Sequence, residues 1–595
     1  ADFTSAAGRM TVVPDWVHAN GAVLGLEGGT DTVRTLWRKV VGAGARVSAV
    51  WMQDWSGLRV DAFGSRLWWN WELDTVYYHD WSEFVDELDA AGAKVMVYIN
   101  PYLAEGDSNH TVQFQYAKHH GHLLRTCHGD PYIQSSGSAE FRFGTVALHR
   151  DSARDWFKGV IKAAMADSRV SGWMADFGEY TPLDAAVDDA DGGGGKAGQS
   201  CSSPLSAGHL QGNALHNAFP ELWAQTNREA VDEFCASRQG GCSDSDRPVF
   251  FMRSGFTRAP AHAALYWLGD QLVTFDRFDG LQSAVIGLLT GGLSGFAQSH
   301  SDIGGYTMVD KAWGLVRFLR SEELLLRWME HSAFGDVVMR THPGVLPQLS
   351  AQVYSNNRTL AAFALWTDVH HALFPYRRAA LAGELAASGT PWARLPWLHW
   401  PCDPVARDLM TAWDPSSASH WDPMPGVRGV GGVAADAPQV QYMAGPWVMV
   451  APVGSAGQPH VRLYLPRGRW VHAWTGETVD TATAGFGGGG AVADAKADAD
   501  LGGHVLAVHA VAPAASRGDP SSASLLPSAG LPPMCGGTPS QPGAWVDVET
   551  PLGQPAVFCL LRAEGYSGST PPDATASVQL CRTLAQVASR HAAAQ

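Results

Sequence analysis

Two apolar runs in this chain end in an aspartate beside small residues, and they carry its clearest chemical signal. Asp176 closes the first run in the stretch 172–180, GWMADFGEY, and Asp270 closes the second in 264–271, ALYWLGDQ. A buried barrel strand delivers a catalytic acid to the mouth of an active site in this way. Two carboxylates at the ends of two such strands predict glycoside hydrolysis.

Each aspartate taken alone is more often an N-cap or a turn residue. The pair favours catalysis, because both runs are rich in aromatic residues and both place the carboxylate close to a glycine. An aromatic pocket with a polar rim is what a sugar ring requires.

Length and charge exclude several classes of function. A chain of 595 residues predicts two or more domains, and 24 tryptophans allow both large cores and sugar-stacking surfaces. The formal net charge is -16, from 42 basic and 58 acidic side chains. This charge argues against nucleic acid and against an anionic membrane surface as partners. Any anionic substrate must therefore be held by a local basic residue.

The eight cysteines are widely scattered, with no CxxC pair and no Cys/His group at zinc spacing. We therefore expect mostly free thiols, no metal site and no organic cofactor. No apolar run is long enough to span a bilayer, and no signal-peptide pattern opens the chain. The sequence leaves the oligomeric state open.

Alternating strand-like and helical patterns predict the fold of the first half. Helical patterns cover 154–165 and 217–234. Eight candidate strands are 47–55, 94–102, 145–149, 172–176, 248–253, 264–270, 292–298 and 337–342. This alternation predicts an α/β fold, a (β/α)8 TIM barrel over residues 14–345. A doubly wound open sheet is the alternative, but no Gly-rich phosphate loop follows the first strand.

The remaining segments differ in composition. Residues 184–208 are Gly-rich and predict a flexible insertion in the barrel, and 346–437 predict a helical and irregular extension with a linker. Short strands within 438–565 predict a C-terminal β-sandwich. Its segment 484–542 is mostly Gly, Ala, Ser and Pro, which predicts a disordered insertion. Residues 566–595 form a tail with a helix near 574–593.

Several long motifs occur in an order that resembles glycoside hydrolase family 31 and, within it, the sulfoquinovosidases. They are WMQDWSG at 51–57, INPY at 99–102, GWMADFGEY at 172–180, GDQ at 269–271, HSDIGGYT at 300–307, MRTH at 339–342 and VHAWTGE at 471–477. The resemblance implies a retaining α-glycosidase that releases sulfoquinovose, a 6-sulfonated glucose, from sulfolipid headgroups such as sulfoquinovosyl glycerol.

By this resemblance Asp176 is the nucleophile and Asp270 the acid/base. A retaining mechanism needs one ionised carboxylate to attack the anomeric carbon and a second, protonated carboxyl to donate to the leaving oxygen. We therefore expect the two carboxyl groups roughly 5–5.5 Å apart. We also expect Asp270 to titrate at higher pH than Asp176.

The resemblance also assigns a sulfonate-binding set: Gln53, Arg66, Trp69 and Tyr306. A sulfonate accepts hydrogen bonds and donates none, and these four side chains supply donors, with charge from Arg66. Alone, Arg66 would more often be a surface ion-pair residue, and Trp69 and Tyr306 would more often be packing residues. Their places within matched motifs favour the functional interpretation.

Four further residues complete the expected sugar site. Arg253 and His342 match residues that hold ring hydroxyls, and His300 is either such a residue or a structural one. Glu27, in LEGGT, stands where some relatives carry Gln. A carboxylate beside a sulfonate would repel it, so we expect Glu27 to accept from a sugar hydroxyl or to pair with a cation.

Family members normally carry a β-sandwich before the barrel, and Pro14 already belongs to the approach to the first strand. We therefore expect that domain to be absent from this chain. Two alternatives stay open: a neutral α-glucosidase or α-xylosidase of the same family, and a catalytically silent carbohydrate-binding derivative. Sulfolipid belongs to photosynthetic membranes, which fits either a cytoplasmic or a plastid location, and the sequence does not decide between them.

Overall fold

We describe the protein from a computed structural model. The description covers the whole chain except residues 1, 62–63, 136–140, 187–206, 312–315, 410–439, 483–506, 511–542, 564–573 and 595. Most of the two predicted insertions, 184–208 and 484–542, therefore lies outside the described residues.

A parallel sheet forms the centre of the first half of the chain. Its strands are β1 Ala22–Leu26, β2 Val47–Met52, β3 Lys94–Ile99, β4 Gly172–Ala175, β5 Val249–Met252, β6 Leu265–Trp267, β7 in two parts, Ser299–His300 and Asp302–Ile303, and β8 Arg340–Thr341. The strands β1 to β6 pair in sequence order. Nearly all their residues are buried, as expected for a parallel sheet covered by helices.

The seventh strand closes the sheet into a barrel. Its first part pairs with β6, with Tyr266 opposite Ser299, and its second part pairs with β8, with Asp302 opposite Arg340. Arg340 of β8 is also opposite Val23 of β1, which joins the last strand to the first. The closed order confirms the predicted (β/α)8 barrel and rules out the doubly wound alternative.

Two of the predicted strands were wrong in position, and one barrel strand was not predicted at all. The run 22–26, AVLGL, was missed as the first strand, and 145–149 is not a barrel strand, because Arg142–Thr145 belongs to a separate antiparallel sheet. Residues 292–298 do not form β7. The preceding helix continues to Leu293, and the true strand is a polar segment with inward-facing side chains, which an apolar pattern does not reveal.

Helices cover the outside of the barrel and connect it to the second half. They are Asp2–Ala7, Asp15–Ala19, Gly29–Gly42, Trp81–Ala90, Val112–His119, Asp151–Asp167, Ala207–Ser237, Leu281–Leu293, Glu322–Gly335, Asn357–Ala372, Phe374–Ala380, Ala386–Ser388, Pro404–Asp408 and Ala574–Ala594. Side chains cap several of them: Ser321 accepts a hydrogen bond from the Leu324 N–H, and Asn356 does so from Thr359.

Three small antiparallel sheets lie in loops that follow barrel strands. A hairpin of Leu58–Asp61 and Gly64–Leu67 follows β2, and a sheet of Tyr102–Ala104, Ile133–Ser135 and Arg142–Thr145 follows β3. A third hairpin, Val309–Lys311 with Val316–Phe318, follows β7. Since all three follow the carboxyl ends of strands, they surround the face where catalytic residues of such barrels lie.

Two antiparallel sheets form the C-terminal unit and confirm the predicted β-sandwich. The larger runs in the order Ala393–Arg394, Tyr442–Ala444, Val448–Ala451, Ala556–Ala563, Gly468–His472 and Thr478–Asp480. The smaller runs in the order His460–Leu465, Ala544–Glu549 and Ala507–Ala510. Trp400, Leu463, Trp470, Val548 and Phe558 are fully buried in the core between them.

The expectation of mostly free thiols was wrong. Cys235 and Cys242 form a disulfide at the end of the long helix before β5, and Cys559 and Cys581 join the sandwich to the C-terminal helix. Cys127 and Cys402 are disulfide-bonded as well. Wide spacing along the sequence says nothing about proximity in a fold built from long-range contacts.

Candidate active site

Each barrel strand leads into one polar residue at the same face of the barrel. In chain order these residues are Glu27, Gln53, Asn100, Asp176, Arg253, Asp270, Tyr306 and His342. Six of them follow the last residue of their strand directly, and Asp270 and Tyr306 lie three residues beyond the end of theirs. Seven of the eight belong to the expected site, and Asn100 is the addition.

Asp176 is buried, and donors hold both of its carboxylate oxygens. The Tyr98 hydroxyl donates to Oδ2 over 2.5 Å, and the Phe177 N–H donates to Oδ1 over 2.7 Å. Phe177 has a left-handed φ of 59° and is followed by Gly178 at 112°. This turn is strained for a side chain as large as Phe177, and it aims the backbone N–H at the carboxylate.

Arg253 brings the two catalytic candidates together. Its Nη1 lies 3.3 Å from Asp176 Oδ1 and 3.0 Å from Asp270 Oδ2. These two oxygens therefore cannot be further apart than the sum of the two distances, about 6.3 Å. The bound admits the roughly 5–5.5 Å of a retaining pair and lies below the roughly 6.5–9.5 Å of an inverting pair.

The environment of Asp270 favours a protonated carboxyl. Desolvation and the negative charge of Asp176 together raise its pKa to about 6, although Arg253 opposes both effects and the Asp270 side chain is 44% exposed. Burial lowers the pKa of Arg253, but the charges of Asp176, Asp270 and Glu179 outweigh burial and raise it, so the guanidinium stays charged. A raised pKa on Asp270 is what a general acid needs.

Three donors of the expected sulfonate set have no hydrogen-bond partner among the described residues: the Gln53 amide, the Trp69 indole N–H and the Tyr306 hydroxyl. Aromatic rings fix the Trp69 ring, with centroids 4.6 Å from Phe141 and 5.8 Å from Phe177, the residue after Asp176. The backbone of Arg66 lies in the hairpin strand Gly64–Leu67, but its side chain is outside the described part.

His342 presents a neutral ring. Burial and the charges of Arg340 and Arg320 lower its pKa well below the usual value. The Gly344 N–H donates to its Nδ1 over 2.9 Å, so the ring proton is on Nε2, where it can be donated to a sugar hydroxyl. The ring packs against Tyr306, with centroids 4.6 Å apart.

Glu27 lies beside a second carboxylate. Burial raises its pKa to about 7, and the charge of Asp54 contributes. Asp54 itself accepts hydrogen bonds from the Gly28 N–H and from the Tyr78 hydroxyl. The carboxyl of Glu27 has no hydrogen-bond partner within the described ranges, so the expected pairing with a protein cation is not seen there.

His300 lies deeper in the barrel than the other candidates. Its Nε2 accepts a hydrogen bond from Arg340 Nε over 3.0 Å, and Arg340 also pairs with Asp302. The Arg340 guanidinium lies between the rings of Trp51 and Phe251, at 4.9 and 5.1 Å. This buried cluster of His300, Asp302 and Arg340 supports a structural role for His300 beneath the site.

Sequence reasoning missed Tyr98, Asn100 and Glu179. Tyr98 and Asn100 lie in the predicted strand 94–102, and Glu179 lies in GWMADFGEY, but neither run showed which side chains point towards the candidate catalytic carboxylates. Glu179 Oε1 accepts from Arg253 Nε over 2.7 Å. No cluster of three or more potential metal ligands occurs among the described residues. Within the same residues no helix is long and apolar enough to cross a bilayer.

Comparison with known families agrees with this architecture. The model of the family 31 glycosyl hydrolase TIM-barrel domain matches residues 23–378, and the model of the family 31 C-terminal domain matches residues 389–505. The chain belongs to glycoside hydrolase family 31.

Similar proteins include two named sulfoquinovosidases. The one from Agrobacterium fabrum is 35% identical over 80% of this chain, and the one from Escherichia coli is 34% identical over 80%. This chain spans 62% and 60% of their lengths. A solved family 31 sulfoquinovosidase from E. rectale, in complex with an aza-sugar inhibitor, superposes with a TM-score of 0.70 at 28% identity, covering 98% of this chain and 66% of that one.

Proposed function

We propose that the protein hydrolyses α-sulfoquinovosides with retention of configuration, using Asp176 and Asp270. The observation that carries the proposal is the pair of carboxylates on one guanidinium, with oxygens no more than about 6.3 Å apart. Similarity to named sulfoquinovosidases supports the substrate class. The expected ligand is a small sugar sulfonate with its aglycone.

In the first step the Asp176 carboxylate attacks the anomeric carbon and forms a glycosyl ester. The bond from that carbon to the aglycone oxygen breaks, and Asp270 gives its proton to the departing oxygen. The environment of Asp270 supports this role, since its raised pKa of about 6 keeps a fraction of the carboxyl protonated in mildly acidic solution.

In the second step water attacks the same carbon from the side that the aglycone left. Asp270, now a carboxylate, takes a proton from the water, and the ester bond to Asp176 breaks. The products are sulfoquinovose and free enzyme. Arg253 contacts both carboxylates, so it can hold their spacing through both steps.

The donor-rich wall supports a sulfonated substrate over a neutral one. Gln53, Trp69 and Tyr306 each offer a donor that has no partner among the described residues, and a sulfonate presents three acceptor oxygens. We propose that Arg66 adds the positive charge, as the resemblance implies. A neutral 6-hydroxymethyl group would need an acceptor as well as donors.

We also propose the domain division that composition predicts: a barrel over 14–345, an extension over 346–437, a sandwich over 438–565 and a tail over 566–595. The short strand Ala393–Arg394 supports a close connection between extension and sandwich, because it pairs with Tyr442–Ala444 of the larger sheet.

The proposal is tested with an aryl α-sulfoquinovoside and the matching aryl α-glucoside. We expect wild type to turn over only the sulfonated substrate and Asp176→Asn to turn over neither. Arg66→Ala should lose activity on the sulfonated substrate. Turnover of only the glucoside would show that the proposed sulfonate site is wrong, while the proposed retaining mechanism would still hold. Binding of sulfoquinovose without turnover by the folded wild type would identify a silent carbohydrate-binding protein instead.

A further inference from the structure

Tyr98 is a buried side chain whose hydroxyl proton is directed at Asp176, the proposed nucleophile. It lies in β3, beside β4, and is 3% exposed. Its hydroxyl donates to Asp176 Oδ2 over 2.5 Å and accepts a hydrogen bond from the Asn100 side-chain amide over 3.1 Å. Since Asn100 occupies the acceptor side of the phenol, the phenolic proton is fixed on the Asp176 side.

Asn100 is itself held in place. It is fully buried, and its Oδ1 accepts from the Tyr102 N–H over 2.9 Å. Its amide nitrogen must therefore face Tyr98. Burial and the charge of Asp176 raise the pKa of Tyr98 well above the usual value, so the phenol stays protonated over the working range of an enzyme.

Asp176 needs such a donor because the nearby cation is shared. Arg253 Nη2 lies 2.6 Å from Glu179, and its Nη1 lies 3.0 Å from Asp270 and 3.3 Å from Asp176. One positive charge faces three carboxyl groups, and Asp176 has the longest of the three contacts. A buried carboxylate without full charge compensation depends on neutral donors to remain ionised.

We propose that Tyr98 is a positioning residue for Asp176, held by Asn100, which stabilises the carboxylate when it leaves the sugar in the second step. This rests on the proposed role of Asp176 as nucleophile. In the first step the carboxylate loses its charge to the new ester bond, so the phenol's hydrogen bond weakens. In the second step water adds to the anomeric carbon, the ester bond breaks, and the electron pair returns to Asp176, where the phenol's hydrogen bond strengthens again.

Replacing Tyr98 with phenylalanine should therefore slow the second step more than the first. We expect kcat for an aryl α-sulfoquinovoside to fall roughly 10- to 100-fold, the effect of one lost hydrogen bond to a charged group. The glycosyl ester should accumulate, so aryl alcohol release should show a burst. Intact mass spectrometry of quenched enzyme should show a larger glycosylated fraction than in wild type.

Tyr266→Phe is the matched control. Tyr266 is equally buried, at 3% exposure, and its hydroxyl has no hydrogen-bond partner among the described residues. The substitution therefore removes the same hydroxyl oxygen without breaking a hydrogen bond. We expect its burst and glycosylated fraction to match wild type. The acid limb of the pH–rate profile should move to higher pH in Tyr98→Phe and stay in place in Tyr266→Phe.

The outcomes separate this inference from the proposed function. Wild-type turnover with an unchanged burst, glycosylated fraction and acid limb in a folded Tyr98→Phe would overturn the role of Tyr98 and leave the proposed function intact. Equal slowing of both steps would show a structural effect and would also overturn it. A wild type that neither turns over nor labels with any α-glycoside would overturn both.

Discussion

Glu179 should raise the pKa of Asp270, the proposed acid/base, although the two side chains are not in contact. Its carboxylate contacts Arg253, and Arg253 in turn contacts Asp270. The charge of Glu179 is one of the effects that raise the pKa of Asp270. In Glu179→Gln the negative charge disappears, while the amide oxygen can still accept the hydrogen bond from Arg253. The pKa of Asp270 should therefore fall.

The size of the fall follows from the geometry. Glu179 and Asp270 lie on one guanidinium, so a separation of roughly 7 Å and an effective dielectric constant of about 20 give about 2 kcal/mol of repulsion. The Glu179 side chain is 35% exposed, so solvent screening reduces this to about 1 kcal/mol or less. We expect a shift of roughly half to three quarters of a pH unit.

The assay is the pH dependence of kcat/KM for glyceryl α-sulfoquinovoside, whose leaving group needs protonation. The alkaline limb reports the acid in the free enzyme, and for wild type it should lie near the pKa of about 6. Glu87→Gln is the control, because Glu87 pairs with Arg34 and Arg38 on a helix outside the barrel. An alkaline limb that stays in place, or moves to higher pH, would refute the electrostatic link through Arg253.

Two further predictions use raised pKa values elsewhere in the barrel. Glu27, with a pKa of about 7, should repel a sulfonate once ionised, so the ratio of kcat/KM for the sulfonated and neutral glycosides should fall as pH rises through about 7 in wild type and stay constant in Glu27→Gln. A ratio that falls equally in both proteins would show that Glu27 does not cause the pH dependence. Burial raises the pKa of Asp336 to about 7 as well, so this carboxyl is more protonated in the folded state than in the unfolded chain between about pH 4 and pH 7, and its contribution to wild-type stability falls over that interval. Asp336→Asn should gain on the order of 1–3 kcal/mol relative to wild type between pH 5 and pH 8, measured as thermal or urea unfolding. A difference in stability between Asp336→Asn and wild type that does not change with pH would contradict this prediction.

Much of the fold could be predicted because its signals are local. The continuous apolar runs 94–99 and 172–175 are typical of buried strands, and the apolar residues near 154–165 recur at the spacing of an amphipathic helix. The C-terminal strands are recognised by the same kind of local pattern. The seventh barrel strand could not be found this way. His300 and Asp302 face Arg340 inside the barrel, so the strand is polar where the pattern requires apolar residues.

The sequence by itself determined which residues end the strands and therefore which side chains reach the mouth of the barrel. Asp176 and Asp270 were identified in this way, since a parallel barrel brings all carboxyl ends of its strands to one face, whereas Arg253 and His342 were assigned by the family resemblance. Only the tertiary structure decided how those groups are paired. The contacts of Arg253 with its three carboxylates, and of Tyr98 with Asp176, join residues that are distant in the chain. Charge sharing and burial depend on distances in space, and these set the protonation of Asp270, which no local pattern encodes.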